Sequence, residues 1–246
     1  MCHVLLVEAG CGLALVDSGL GLFDAAAPGR RLGLVRHFVR PVFAEHETAV
    51  RQVQALGYDP GDVRDIVLTH FDADHAGGLA DFPHARVHLT AAENEASLHP
   101  RTQVEKGRYR RAQRAHRPTI MVHHPAEGEP WRGFPSAVEL TDVTAGVVLI
   151  ALPGHTRGHA AVAVDAGDHW VLHVGDAFYD RAQIDDHGRA PRSLLAMERL
   201  VAADWSRVRA NHVQLQELWA HADPGLVLVN AHDPALLDRA RAATSR

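Results

Sequence analysis

The segment His70-Phe71-Asp72-Ala73-Asp74-His75 constrains this chain more than any other. Two imidazoles and two carboxylates fall within six residues, directly after the apolar run Ile66-Val67-Leu68. In extended backbone residues 70 and 72 point the same way, and a following turn aims Asp74 and His75 elsewhere, so one segment can serve two ions. Such a mixture of nitrogen and oxygen donors is what a divalent-metal site needs. Ala76-Gly77-Gly78 comes next and allows close backbone approach at the start of a helix. The bland alternative is a polar loop whose carboxylates are solvated or cap that helix.

Three other apolar runs end in residues of the same kind. Val147 to Leu152 leads into Pro153-Gly154-His155, Trp170 to Val174 into Gly175-Asp176, and Leu226 to Val229 into Asn230-Ala231-His232. Layered α/β folds assemble their sites from loops at strand ends, because strands fix the geometry and loops carry the chemistry. A histidine serving the core sits inside a strand, whereas these sit just past one. Any one of them alone is an incidental loop residue; the set of four strand ends points to a site. The chain has 19 histidines, but their number alone decides nothing.

Elsewhere the pattern is of alternating strands and helices. Val4 to Val7 and Leu13 to Val16 form a hairpin about Ala9-Gly10-Cys11-Gly12. Residues 20–44 read as irregular. Glu45 to Leu56 predicts a helix with Ala49, Val53 and Leu56 on its buried face, stopped by Gly57. Arg86 to Leu89 is a strand, and Thr90-Ala91-Ala92-Glu93 is a capping box. Residues 101–117 read as a basic helix, and Pro125, Pro130 and Pro135 mark a loop. Two helices carry Leu194, Met197, Leu200 and Val201, then Val208, Leu215, Leu218 and Trp219, and Asp233-Pro234 opens a final helix.

Composition bounds the rest. The 246 residues suit one α/β domain over 1–246, with 100–135 as a lid or insertion, and 46% hydrophobic residues supply a full core. A net charge of −5 argues against general nucleic-acid binding. No apolar run is long enough to cross a membrane, and Met1 to Glu8 lacks the form of a signal peptide. Cys2 and Cys11 are too few for a disulfide scaffold; they read as small buried side chains, and the expected location is cytoplasmic.

Taken in order, these stations resemble the metallo-β-lactamase superfamily. Residues 70–75 are similar to its His-x-His-x-Asp-His signature, with Asp72 in place of the second histidine. Leu15-Val16-Asp17-Ser18-Gly19, Pro153-Gly154-His155-Thr156-Arg157-Gly158-His159, Gly175-Asp176 and Ala231-His232-Asp233 match in the same order. The resemblance implies a four-layer αββα sandwich and a two-metal site: His70, Asp72 and His155 on one ion; Asp74, His75 and His232 on the other; Asp176 bridging. It implies hydrolysis by a metal-bridged hydroxide, with Asp74 a catalytic residue as well as a ligand. Asp17 would support the ligands rather than join them. His159 is either such a support or a packed structural histidine. Zinc is the expected metal because it accepts His and Asp alike, and the third carboxylate, Asp72, also suits manganese or iron.

Within the superfamily the pattern resembles the acyl-homoserine lactonases. Leu56-Gly57-Tyr58-Asp59-Pro60, Ala76-Gly77-Gly78 and Phe82-Pro83-His84-Ala85-Arg86-Val87 carry that likeness, as does Asp176-Ala177-Phe178-Tyr179. It implies a tyrosine, Tyr179, that touches the substrate; a tyrosine packed in a loop is the other reading. The expected reaction is cleavage of a small ester, lactone or thioester. Asp72 and the basic stretch keep two alternatives open: a phosphodiesterase or nuclease-like hydrolase, with Tyr109 against a nucleotide, and a diiron redox protein fed by a separate partner. The expected partner is a small molecule, with no membrane and nucleic acid disfavoured; an exposed Trp131 or Phe134 would serve equally as a homodimer contact or as a substrate wall. His123 and His124 read as loop surface.

Overall fold

The first hairpin forms as the glycine-rich turn predicts. β1 (Leu5–Ala9) pairs antiparallel with β2 (Gly12–Val16), Leu5 opposite Val16. The computed structural model describes residues 2–10, 12–185 and 188–244; Cys11 lies outside them. The chain divides into two units, Cys2–His123 and one beginning at His124.

In the first unit β2 is followed by β3 (Val63–Val67), β4 (Arg86–Thr90) and β5 (Thr119–His123), in the order β1-β2-β3-β4-β5. Strands β2 to β5 run parallel, so their carboxyl ends share one edge. Asp17, His70 and Thr90 therefore emerge on the same side, where sites form in sheets of this kind. The core beneath that edge comprises Leu15, Ile66, Leu68, Val87 and Leu89, with Phe71 and Leu79. Fully burying one such large side chain stabilises the fold by about 1.5–3 kcal/mol, which is why the polar residues of the edge hold fixed positions.

The second unit contains β6 (Glu129–Trp131), β7 (Phe134–Glu139), β8 (Val147–Ala151), β9 (Ala160–Asp165), β10 (Trp170–His173) and β11 (Leu226–Val229), in the order β11-β10-β9-β8-β7-β6. β9 is antiparallel to both β8 and β10, and β10 is parallel to β11. Hence β8, β10 and β11 all point the same way. His155, Asp176 and His232, each just past one of these strands, leave the sheet at a common edge. Ile150, Leu152, Leu172, Phe178, Leu215 and Leu236 pack the core.

Several expectations need correction. Residues 20–44 are not irregular: they hold α1 (Leu22–Ala26), α2 (Pro28–Arg31) and α3 (Arg36–Val39). These helices are too short to show periodicity, and tertiary bonds hold them. Arg31 donates from Nε to Asp24 (2.6 Å), from Nη2 to the carbonyl of Gly77 (3.0 Å), and also to Gln113. In α4 (Ala49–Ala55) Ala49, Val50 and Val53 are buried, but Leu56 lies past the helix end and is 63% exposed.

Helix α5 (Ala73–Ala76) follows the metal-type segment, and α6 (Ala91–Leu98) begins at Thr90. The basic stretch is α7 (Gln103–Arg108) and a separate turn at Arg111–Arg114, not one helix. The expected loop with three prolines is largely a hairpin. Pro130 lies on β6, an edge strand where a missing N–H costs no ladder bond, and Pro135 lies at the hairpin end of β7. Phe134 is 1% exposed and belongs to the core, not the surface.

Helices α8 (Arg192–Val201), α9 (Trp205–Ala220) and α10 (Pro234–Thr244) form where expected. In α8, however, Met197 and Leu200 face solvent while Glu198 is buried, accepting from Gln183 (2.6 Å) and bonded to His212 (3.0 Å). Asp233 opens α10 by accepting from the N–H groups of Ala235 (2.9 Å) and Leu236 (3.4 Å).

Candidate metal centre

Asp17 organises the donors of the first unit. It stands just past β2 with φ of +60° and is fully buried. Left-handed backbone is uncommon outside glycine, though aspartate tolerates it better than most residues, and it turns the carboxylate toward the loop after β3. Asp17 Oδ1 accepts from the N–H of Thr69 (2.8 Å), and Oδ2 accepts from the hydroxyl of Thr69 (2.9 Å). Asp17 Oδ2 also accepts from Nδ1–H of His75 (2.8 Å). Since the Thr69 hydroxyl donates to Asp17, it accepts from Nδ1–H of His70 (3.0 Å). Both imidazoles thus have Nδ1 engaged by one carboxylate, directly or through Thr69, and present Nε2 as the donor for a cation. Metal-bound histidines are oriented in this way.

Beyond those Nε2 atoms lie the carboxylates. Asp72 Oδ2 is 3.5 Å from His70 Nε2, and Asp74 Oδ2 is 3.9 Å from His75 Nε2. The two rings are 4.0 Å apart between centroids. Asp72 precedes α5, but among the described residues its carboxylate makes no cap hydrogen bond, so the capping alternative does not hold. Arg108 Nη1 is instead 3.2 Å from Asp72 Oδ2. The sulfur of Cys2 lies 3.9 Å from either ring nitrogen of His75, and burial pushes its thiol up to about 12.

Residues after β4 hold this loop from behind. Thr90 accepts from the N–H of Glu93 (3.0 Å), as the capping-box pattern predicts. The buried Glu93 carboxylate accepts from the N–H of Phe71 (2.8 Å) and from the hydroxyl of Tyr109 (3.2 Å). Tyr109 is therefore a core residue, its phenol pushed well above its ordinary range by burial and the nearby Glu93 charge. The guanidinium of Arg114 sits 4.3 Å over the Phe71 ring, and burial holds its pKa below the usual value. His123 is not loop surface either: its Nε2 is 2.9 Å from Nδ1 of the buried His88.

In the second unit Asp176 is the hub. Its Oδ1 is 3.0 Å from His232 Nε2 and its Oδ2 is 3.6 Å from His155 Nε2. One carboxylate thus faces two imidazoles with different oxygens. His159 holds it there: Nε2 accepts from the N–H of Asp176 (3.0 Å), while Nδ1–H donates to the carbonyl of Leu152 (3.0 Å). With both nitrogens engaged, His159 ties the backbone of Asp176 to that of Leu152. The Tyr179 hydroxyl is 3.3 Å from His155 Nδ1, and its ring is 5.6 Å from that of His232. A cavity of about 440 Å³ opens beside Tyr179 and His232, walled by Asp180, Arg181, Asp185 and Asp233. Sequence reading missed Thr69, Arg108 and the tie from Glu93 to Phe71, because contacts between distant segments leave no local pattern.

The chain belongs to the metallo-β-lactamase superfamily, whose family model matches residues 1–218. Probable metallo-hydrolase Rv2300c of Mycobacterium tuberculosis is 54% identical over 241 residues, 98% of this chain and 77% of that protein. N-acyl homoserine lactonase AiiA of Bacillus thuringiensis subsp. kurstaki is 26% identical over 197 residues, 75% of this chain and 66% of that protein. Among solved structures, B. thuringiensis AiiA with N-decanoyl-L-homoserine bound at its active site aligns with a TM-score of 0.67 at 22% identity, covering 96% of this chain and 82% of that one. A probable metal-dependent hydrolase from Staphylococcus aureus aligns with a TM-score of 0.68 at 15% identity, covering 94% and 74%. The fold is the one these structures share, as the order of sequence stations predicts. No helix among the described residues is long and apolar enough to cross a membrane.

Proposed function

We propose that this chain is a binuclear metal-dependent hydrolase that cleaves a small ester, lactone or thioester. The observation that carries the reading is Asp176, which offers one oxygen toward His232 Nε2 at 3.0 Å and the other toward His155 Nε2 at 3.6 Å. A carboxylate placed between two imidazoles in this manner suits a bridge between two cations. The donor chemistry fits divalent ions: four imidazoles present nitrogen, three aspartates present oxygen, and Asp17 and Thr69 fix the tautomers of His70 and His75. The superfamily resemblance would assign His70, Asp72 and His155 to one ion, and Asp74, His75 and His232 to the other. Zinc is the expected metal, with manganese or iron also suited to three carboxylates. The named functions of the relatives, metallo-hydrolase and acyl-homoserine lactonase, lie in the same class.

When bound, two divalent ions lower the pKa of water and polarise a carbonyl oxygen. The protein's own groups do the rest. With His155 donating Nδ1–H to the Tyr179 oxygen, the phenolic proton of Tyr179 points onward toward bound substrate. There it can hydrogen-bond the carbonyl or the leaving oxygen, a contact that strengthens as negative charge develops. The cavity beside it is walled by Asp180, Arg181, Asp185 and Asp233, which suits a polar part of a substrate. Cleavage of nucleic acid is the weaker reading: Tyr109 is buried, Arg108 is paired with Asp72 and Arg114 lies over Phe71, so three residues of the basic stretch serve the interior.

The test combines metal content with turnover. Protein loaded with zinc or manganese should hold close to two ions per chain and hydrolyse generic short esters or lactones. Asp176→Asn and His155→Ala should lose that turnover and keep the fold. Undiminished turnover in both variants would falsify the reading.

A further inference from the structure

Among the described residues, Cys2 is a metal-binding side chain beside the donor cluster that the proposed function does not use. Its position follows from the hairpin register. Leu5 lies opposite Val16, so the chain just before β1 runs beside the carboxyl end of β2, where Asp17 stands. Asp17 fixes His75, and Cys2 Sγ lies 3.9 Å from each nitrogen of that ring. One donor atom from each of Cys2, Asp74 and His75 lies within 4.8 Å of the other two. The thiol is thus grouped with an imidazole and a carboxylate, a donor set of the kind that holds soft or borderline divalent ions. All three residues belong to the first unit, so this trio is formed by one sheet edge alone.

We propose that Cys2 is a thiolate ligand of the ion held by Asp74 and His75. The inference rests on the metal-dependent reading above. On binding, the S–H bond breaks, the proton leaves to solvent and a sulfur–metal bond forms; nothing is oxidised or reduced. A thiolate is soft, and Asp72, beside His70, is hard. The two cation positions therefore differ: the one with Cys2 selects zinc, cobalt or cadmium over manganese and magnesium. His75 accommodates this role because its Nδ1–H is given to Asp17, which leaves Nε2 as the ring's donor on the side of Asp74.

Cobalt(II) titration of the full-length protein tests this, since cobalt reports its ligands by colour. Wild type should develop visible d–d bands together with a near-ultraviolet thiolate-to-cobalt charge-transfer band. Cys2→Ser should lose the charge-transfer band and keep the d–d bands, and Cys11→Ser should keep both. X-ray absorption of zinc-loaded wild type needs no variant and should show a sulfur neighbour at about 2.3 Å. Visible bands without charge transfer, and no sulfur neighbour, would overturn the assignment of Cys2 while leaving a cation site intact. A charge-transfer band abolished by Cys11→Ser and untouched by Cys2→Ser would also overturn it. If no cobalt binds at all, both this assignment and the metal-dependent reading fall.

Discussion

Arg108 places Nη1 3.2 Å from Asp72 Oδ2, with the arginine side chain only 7% exposed. The signature that residues 70–75 resemble has a histidine where this chain has Asp72. A third carboxylate beside the proposed cation site would raise its negative charge by one, and Arg108 would return one positive charge to the same place. If Asp72 is a ligand as proposed, the pair would act as a compensated replacement for that histidine. Removing one partner of a buried pair leaves the other uncompensated, so the two substitutions should not add. Asp72→His alone should weaken zinc binding, because Arg108 then faces the site without its partner. Asp72→His with Arg108→Gln should recover much of the loss. A coupling of about 1–3 kcal/mol is expected from competition titration against a chromophoric chelator. Simple additivity of the two single variants would mean that the pair has no bearing on the metal.

Asp17 governs two imidazoles at once, one directly and one through Thr69. Asp17→Asn keeps the shape but replaces one acceptor oxygen with an amide that donates. Removing a group that orients metal ligands in this way costs about 10–100-fold in metal affinity. Thr69→Val should do less, because it loosens His70 and leaves His75 bonded to Asp17. Dissociation rates of zinc from the two variants would check the order; equal rates, both like wild type, would contradict it.

The ordering of these contacts explains how much was readable beforehand. His70, Asp74, His75, His155, Asp176 and His232 stood out because each follows an apolar strand, and strand ends are a local feature of sequence. The partners that orient them were partly visible: Asp17 sits at the end of β2, and His159 follows His155 closely. Arg108 and Glu93 were not visible in that role. Each acts on residues 71–72 across a long stretch of chain, through contacts that have no period and no motif. Glu93 was legible only as a capping residue, because Thr90-x-x-Glu93 fits that pattern whether or not the carboxylate turns elsewhere. The short helices of residues 20–44 failed for the same reason, since Arg31 and not periodicity holds them.

Tyr179 separates catalysis from metal binding. Its hydroxyl touches His155 but is not among the proposed ligands. Tyr179→Phe should leave metal content at the wild-type value and lower kcat by about 10–100-fold, the loss of one hydrogen bond to a developing charge. KM should change less than kcat, because the contact strengthens in the transition state. Steady-state kinetics on a short ester, paired with elemental analysis, would check it. An unaltered kcat would reduce Tyr179 to a packed loop residue.

Asp81 gives a pH signature that is independent of metal. Burial pushes its carboxyl up from 3.8 to about 6, against a lowering bond from the N–H of Leu22, and the charge of Asp24 adds to the rise. The folded pKa is then above the unfolded one, so between these values the folded state binds more protons. Stability must therefore fall as pH rises from about 4 to about 6, and it stays lowered above that window. Asp81→Asn retains an oxygen to accept from Leu22 and removes the titrating proton. The variant should be more stable than wild type at neutral pH and should lose the advantage near pH 4. Denaturant midpoints measured across that range would decide it. A midpoint difference that does not vary with pH would show that Asp81 titrates no differently in the folded chain than in the unfolded one.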